Sequence, residues 1–292
     1  MPRHPRIHAA HLLYHIIARG NNGQTIYQDD KDYNVFLSIV KQTKRRYPFK
    51  LYAYALMGNH FHFLVEVKEK PNSRIMQSIL TAYSRYFNYT HKRRGHLFQG
   101  RYKAFICQKD AYLMELMRYI HLNPVRAKLV ERPEQWAWSG HGEYTGKSER
   151  GLIDKGVVSD LFGEGATGYK KYIKYLEDGM AMGKRYEEDF HPSDGTPFLG
   201  SDDFKDKLTY KKSEAKNRKL KGIEEILHEV AKKTGLKEAL IKSKSKARAI
   251  ARARQEVIRS AVLDFELSQS DVARYLACSP SYITRVLQRI GN

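Results

Sequence analysis

His60 and His62 stand one residue apart in the run Leu56-Met57-Gly58-Asn59-His60-Phe61-His62-Phe63-Leu64-Val65. In an extended strand, residues i and i+2 point to the same side, so both imidazoles share one face and Phe61 takes the other. Side chains so placed lie roughly 7 Å apart along the strand and can hold one metal ion. By itself a His-x-His pair is more often two solvated polar residues on an open sheet face. Here the flanks are apolar. A pair set in an apolar strand needs a partner, and a cation is the least costly one.

The elements that must position this pair follow from periodicity. His11–Ala18 is apolar and β-branched, and Arg-Gly-Asn-Asn-Gly after it supplies a turn, which predicts a strand. Asp29–Tyr47 repeats apolar groups at Tyr33, Phe36, Leu37 and Val40, the spacing of a helix, and Pro48 closes it. Leu51–Met57 and His60–Val67 flank Gly58-Asn59 as a hairpin. Asn72 opens a second helix carrying Ile75, Ile79, Leu80 and Tyr83, and Lys92-Arg93-Arg94-Gly95 ends it. Tyr102–Cys107 reads as a weak strand. Asp110 is the expected N-cap of a helix striped by Leu113, Leu116, Met117 and Ile120. The order β-α-β-β-α-β-α predicts an α+β domain of the ferredoxin-like kind, with helices covering one face of an antiparallel sheet.

With those elements in place, four segments together carry a resemblance. "LMGNHFHFLVEV", "YHIIARGNNGQTIYQDD", "GHLFQGRYKA" and "RYIHLNPVRAKLV" resemble the HUH single-strand endonucleases, and among them the REP-associated single-tyrosine transposases, over residues 1–145. The resemblance implies Mg²⁺ or Mn²⁺ held by His60 and His62, polarising a scissile DNA phosphate. It further implies a tyrosine hydroxyl that attacks phosphorus to leave a 5′-phosphotyrosine link and a free 3′-OH, nicking and rejoining single-stranded DNA near hairpins. The sequence offers Tyr83, Tyr86, Tyr89, Tyr102, Tyr112 and Tyr119. The family places its nucleophile on the last helix of the domain, with a polar metal ligand one turn later, which selects Tyr119 and Asn123. Glu115, one turn earlier, is expected to orient the hydroxyl or a metal-bound water. Pro124 disfavours helical dihedrals at Asn123, which predicts that the helix ends there. Lys92, Arg93, Arg94, Arg101 and Lys103 look like phosphate contacts, and Arg118 and Arg126 bracket the nucleophile to balance phosphate charge. Related transposases work as pairs, so a homodimer is expected.

Trp136 to about Lys212 is rich in Gly, Ser, Asp and Pro, with one short helix signalled by Tyr169, Tyr172, Ile173 and Leu176. Residues 146–215 therefore read as a connecting region with local helical structure. Residues 216–292 read as an all-α domain. Ile223, Ile226, Leu227 and Val230 form one stripe, and Ile250, Val257, Ile258, Ala261, Val262 and Phe265 another. Ser268–Leu276 and Ser279–Ile290 read as a helix-turn-helix, with Ser268 and Ser279 as N-caps and Pro280 at the first helical position. Val272, Ala273 and Leu276 would pack the first helix, and Ile283, Val286 and Leu287 the second. Ser281, Tyr282, Thr284 and Arg285 would then face the major groove of duplex DNA. Arg248, Arg252 and Arg254 form a basic entry. The order of elements over about 220–290 resembles the DNA-binding domain of the bacterial replication initiator DnaA.

Composition agrees with a polyanionic partner. The chain carries 52 Lys+Arg against 32 Asp+Glu, a net charge of +20. Residues 1–145 hold 23 basic and 10 acidic side chains, 146–204 hold 8 and 12, and 205–292 hold 21 and 10. Two basic blocks thus flank a mildly acidic one, as expected of two nucleic-acid-contacting units. Mean hydropathy is −0.62, and no apolar run is long enough to span a bilayer. Met1–Arg6 is basic with no signal-peptide stretch after it. Two cysteines exclude a disulfide scaffold and suit a cytoplasmic location. A non-catalytic DNA-binding regulator and an RNA-binding protein share this charge pattern, but neither has use for a nucleophile.

Overall fold

The computed structural model describes residues 9–180, 190, 197–265 and 267–290, the side chains of 209–221 and 289–290 excepted. The basic run Met1–Arg6 lies outside the described residues. The chain divides into two units, Met1–Lys205 and Asp206–Asn292.

The first unit is α+β. Strand β1 is Leu13–Arg19, helix α1 Asp30–Arg46, β2 Phe49–Met57, β3 His60–Val67, α2 Asn72–Thr90, β4 Lys103–Cys107 and α3 Lys109–Arg126. A turn of helix α4 (His141–Tyr144), α5 (Gly156–Phe162), α6 (Gly165–Met180) and β5 (Phe198–Leu199) follow. Sheet order is β2-β3-β1-β4-β5, antiparallel except for the last pair. The first four strands give the ferredoxin-like order. Asp29 caps α1, its carboxylate accepting from the Asp32 N–H at 2.9 Å. Helix α3 begins at Lys109 with Gln108 as N-cap, so Asp110 lies in the first turn rather than at the cap.

Strand alternation divides the core into two layers. Phe61 and Phe63 meet Phe36 of α1 at centroid distances of 5.0 and 6.0 Å, and Tyr83 of α2 closes on Phe36 at 4.9 Å. His60, His62, Leu64 and Glu66 point the other way, toward α3. The expectation of helices on one face alone is therefore corrected: α1 and α2 cover one face and α3 the other. Each sheet edge is partly covered: Trp138 and Gly140 bond along β2, and β5 pairs with the end of β4.

Much of the expected connecting region 146–215 packs into this unit. Helix α6 lies on α3. His121 of α3 and Tyr172 of α6 are hydrogen-bonded through Nδ1 and the hydroxyl at 2.5 Å in a fully buried setting. The Tyr175 hydroxyl donates to Glu115. A Cβ on Gly179 would lie 2.3 Å from Arg118 Cδ, so only glycine allows the arginine to pass beneath α6.

The second unit is helical. Helix α7 (Asp202–Thr234) contains the division, and α8 (Glu238–Lys242), α9 (Arg248–Arg259), α10 (Gln269–Tyr275) and α11 (Pro280–Ile290) follow. Ile223, Ile226, Leu227, Val257, Ile258, Val272, Ile283 and Val286 share one core. The stripe expected to run on to Phe265 stops early. A π-helical turn at Ser260–Asp264 breaks the period, and Phe265 emerges exposed. Among the described residues no helix is long and apolar enough to cross a membrane.

Buried histidines make the first unit acid-sensitive. Burial pulls His141 down to about 4, Glu134 opposing and Lys147 assisting. Burial, with His141 beside it, holds His121 well below the usual range. In the unfolded chain both titrate near 6.5. Between about pH 6.5 and 4 the unfolded state therefore binds more protons, and stability falls as pH falls. His141 alone accounts for about 3 kcal/mol across that window. The melting temperature of the unit is expected to drop from pH 7 to pH 4.5, and His141→Gln to make that drop shallower. A melting temperature flat over this range would refute the assignment.

Candidate active site

Strand β3 pairs with β1 so that His62 sits opposite Ile17 and His60 opposite Arg19. On the β2 side His62 faces Ala55, a small neighbour that leaves room for the ring. The two imidazoles meet edge to face with centroids 5.1 Å apart. Each has its Nδ1 occupied from behind. His60 Nδ1 donates to Asn59 Oδ1 at 2.6 Å, and Asn59 is itself fixed by donating to the Gly23 carbonyl at 3.2 Å. That leaves His60 Nε2 as a lone pair. His62 Nδ1 lies 3.0 Å from His15 Nε2, with the rings stacked at 5.3 Å. An outer partner on Nδ1 is the arrangement that metal-binding histidines adopt.

Burial first, and the nearby Arg19 cation second, pull His60 down to about 4. The imidazole is therefore neutral at neutral pH and able to ligate. Among the described residues no three His, Cys, Asp or Glu side chains converge. Any ion here would need oxygen ligands from elsewhere, and Asn123 is placed to give one. Its Nδ2 donates to the Tyr119 carbonyl at 3.0 Å, leaving Oδ1 as the remaining donor atom.

Tyr119 of α3 comes to the same place from above. Its ring centroid is 5.8 Å from His62 and 5.8 Å from His15, Phe190 packs on it at 5.0 Å, and the Arg126 guanidinium lies 5.4 Å from its centre. The ring is only 3% exposed. Tyr119, Asn123, His60 and His62 line one cleft of about 640 Å³ together with Arg19, Arg101 and Lys103. All of them belong to a single chain. Helix α3 does not stop at Asn123 as expected. It continues to Arg126 with Pro124 inside its last turn.

Several expected site residues lie elsewhere. Glu115 pairs with Arg118 and accepts from Tyr175, lining a separate pocket beside α5 and α6. It is not among the residues lining the Tyr119 cleft. Arg118 is buried under α6, its guanidinium 4.2 Å from the Tyr175 ring centre, and is not placed to meet phosphate. Only Arg126 of that pair reaches the tyrosine. Lys92 and Arg94 are exposed, whereas Arg93 is held, donating to Gln24 Oε1 at 2.6 Å and lying over Phe87. Arg19 and Asn59 line the cleft, and His15 backs His62 from within the sheet; the sequence singled out none of the three. His15 carried one signal, a lone histidine inside an apolar strand.

In the second unit Ser281, Thr284 and Arg285 are exposed, while Tyr282 packs half-buried against the core. Ser268 and Ser279 cap their helices, accepting from Asp271 and Tyr282 N–H groups at 3.1 and 3.2 Å. Arg248 and Arg252 are exposed. Arg254 is not a surface contact. It is 7% exposed and donates to the carbonyls of Ile241, Ser243 and Ser245, tying down the loop after α8.

Residues 8–123 match the family described as "Transposase IS200 like". A Haemophilus influenzae protein named as a REP-associated tyrosine transposase is 28% identical over 117 residues. That alignment spans 36% of this chain and 66% of the relative. A solved REP-associated tyrosine transposase bound to a REP hairpin aligns with TM-score 0.42 and 18% identity, over 53% of this chain and 90% of that one. A Deinococcus radiodurans structure described as a transposase aligns with TM-score 0.30 and 15% identity, over 41% and 95%.

The arginines of α9 separate by role. Arg254→Ala strips donors from three carbonyls and is expected to destabilise the second unit by roughly 2–4 kcal/mol. Arg248→Ala and Arg252→Ala should stay within about 0.5 kcal/mol of the parent. Denaturant unfolding of the three variants decides it. Equal stability of all three would remove the structural role of Arg254.

Proposed function

We propose that the first unit nicks and rejoins single-stranded DNA next to hairpins, through a covalent link between Tyr119 and a 5′ phosphate. The observation that carries this is the convergence of Tyr119, His60, His62 and Asn123 on one basic cleft within one chain. The DNA substrate follows the family, and the hairpin follows the REP-associated relatives.

His60 and His62 through Nε2, with Asn123 Oδ1, would hold Mg²⁺ or Mn²⁺, which when bound supplies Lewis-acid polarisation of the scissile phosphate. The side chains of the chain do the rest. Arg19, Arg101 and Lys103 draw the strand's phosphates into the cleft. Arg126, against the Tyr119 ring, favours the phenolate as the hydroxyl gives up its proton. The phenolic oxygen forms a bond to phosphorus as the bond from phosphorus to the 3′ oxygen breaks. The products are a 5′-phosphotyrosine and a 3′-OH. A 3′-OH attacking the phosphotyrosine reverses the exchange, with no other energy source needed. The second unit would grip duplex DNA through Ser281, Thr284 and Arg285, with Arg248 and Arg252 on phosphates. A homodimer and a cytoplasmic location remain part of this reading.

Tyr119→Phe removes one oxygen. It should reduce the covalent protein–DNA band on a denaturing gel by more than about a thousandfold, with binding of the same hairpin oligonucleotide within a few-fold. A persistent band would move the nucleophile to another tyrosine. Independently, Thr284→Ala with Arg285→Ala should weaken duplex binding about tenfold while leaving that band unchanged. Undiminished duplex affinity would reject the groove-reading helix.

A further inference from the structure

Helix α2 ends in an unusually braced corner. Lys92 adopts a left-handed conformation (φ 49°), its N–H reaching back to the Tyr89 carbonyl and the Arg93 N–H to the Asn88 carbonyl. This is a Schellman cap built without glycine. Side chains pin it on every side. Asn88 Nδ2 donates to the Gly95 carbonyl at 2.9 Å, and Arg93 to Gln24, whose Nε2 donates to the Leu97 carbonyl at 2.9 Å. Beneath it, Tyr86 and His91 both bond the buried Asp32 carboxylate. From this frame Tyr89 projects into solvent at 88% exposure, the most exposed of the large apolar side chains. Arg85 lies one turn earlier on the same face. Lys92 and Arg94 flank it, both exposed, and among the described residues none of the three cations has an acidic partner. The loop then runs on through Phe98–Lys103, which forms one wall of the cleft.

A single exposed tyrosine needs no explanation. A tyrosine held out by a braced helix end, beside three cations with no acidic partner among the described residues, just before the loop that walls the cleft, does. We propose that Tyr89 is a stacking platform for one unpaired base of the single-stranded DNA that passes through the cleft. Arg85 backs the base, and Lys92 and Arg94 meet its flanking phosphates. This rests on the strand-handling function proposed above and names a second contact on the same strand. Base stacking on an aromatic ring is tolerant of sequence and adds to affinity without ionic cost. The rigid frame means that little conformational entropy is lost when the base docks.

The test uses the full chain and a fluorescently labelled 20-nucleotide mixed-sequence single strand, read by anisotropy at two salt concentrations. Tyr89→Ala should weaken binding about tenfold at both salts, because the lost contact is not ionic. Tyr89→Phe keeps the ring and should bind within twofold of the parent. Lys92→Ala should instead lower the salt dependence. Parent-like affinity of Tyr89→Ala, or equal weakening by Tyr89→Phe, would overturn the platform. The covalent-band assay on the parent protein reads the nicking function separately. Its failure, with the Ala and Phe variants still differing, would leave the platform standing and sink the chemistry.

Discussion

The structure turns on a buried imidazole that must satisfy both of its nitrogens. His62 sits on the face of β3 that α3 covers, where an unpaired polar group costs on the order of 1–3 kcal/mol. His15, across the strand pair, answers Nδ1 at 3.0 Å. The other nitrogen faces the cleft. A sheet face with a side chain so divided cannot simply be closed over by apolar packing. Some polar space must remain there, and the cleft beneath Tyr119 is that space. The same logic covers His60, whose Nδ1 is spent on Asn59. The orientation of both rings is thus set by the outer partners as much as by the histidines themselves.

The surrounding charges are sorted by use. Among the described residues, Arg19, Arg101 and Lys103 of the cleft and Arg85, Lys92 and Arg94 of the α2 corner have no acidic partner, whereas Arg118, Arg132 and Arg254 are spent on internal contacts. A net charge of +20 therefore overstates the contact surface. Where a cation is buried, it ties elements together: Arg118 beneath α6, Arg254 across three carbonyls. Charge clustering points toward a polyanion partner, yet it does not say which cations would touch it.

What could be read from the sequence follows the range of the interactions. The period of β3 placed both histidines on one face, and the caps at Ser268 and Ser279 were visible because capping is local. Tyr119 and Asn123 were legible only through family resemblance, since six tyrosines fit on residue type alone. His15 stayed hidden because its role depends on β1 lying beside β3, a fact of topology. Glu115 failed for a geometric reason. Four-residue steps along a helix advance by about 40° beyond a full turn. Tyr119 points at the sheet, Asn123 drifts one way into the cleft, and Glu115 drifts the other way toward α6. Arg254 looked like its neighbours Arg248 and Arg252 because a basic run does not reveal which member faces inward.

Helix α3 has the most to satisfy. It is buried on two sides, by the sheet and by α6, which explains its weak amphipathic pattern. The residues on either side of Tyr119 in sequence are the ones α6 grips: Glu115 and Arg118 before it, His121 after it. The phenol is therefore fixed by a clamp on its own helix as well as by His15, His62, Phe190 and Arg126 around the ring. On the proposed reading of Tyr119 as nucleophile, alignment would fall to the substrate. A cleft of about 640 Å³ is of small-ligand size, so the strand that reading assigns to it would enter as an unpaired segment, and a duplex would have to unpair first.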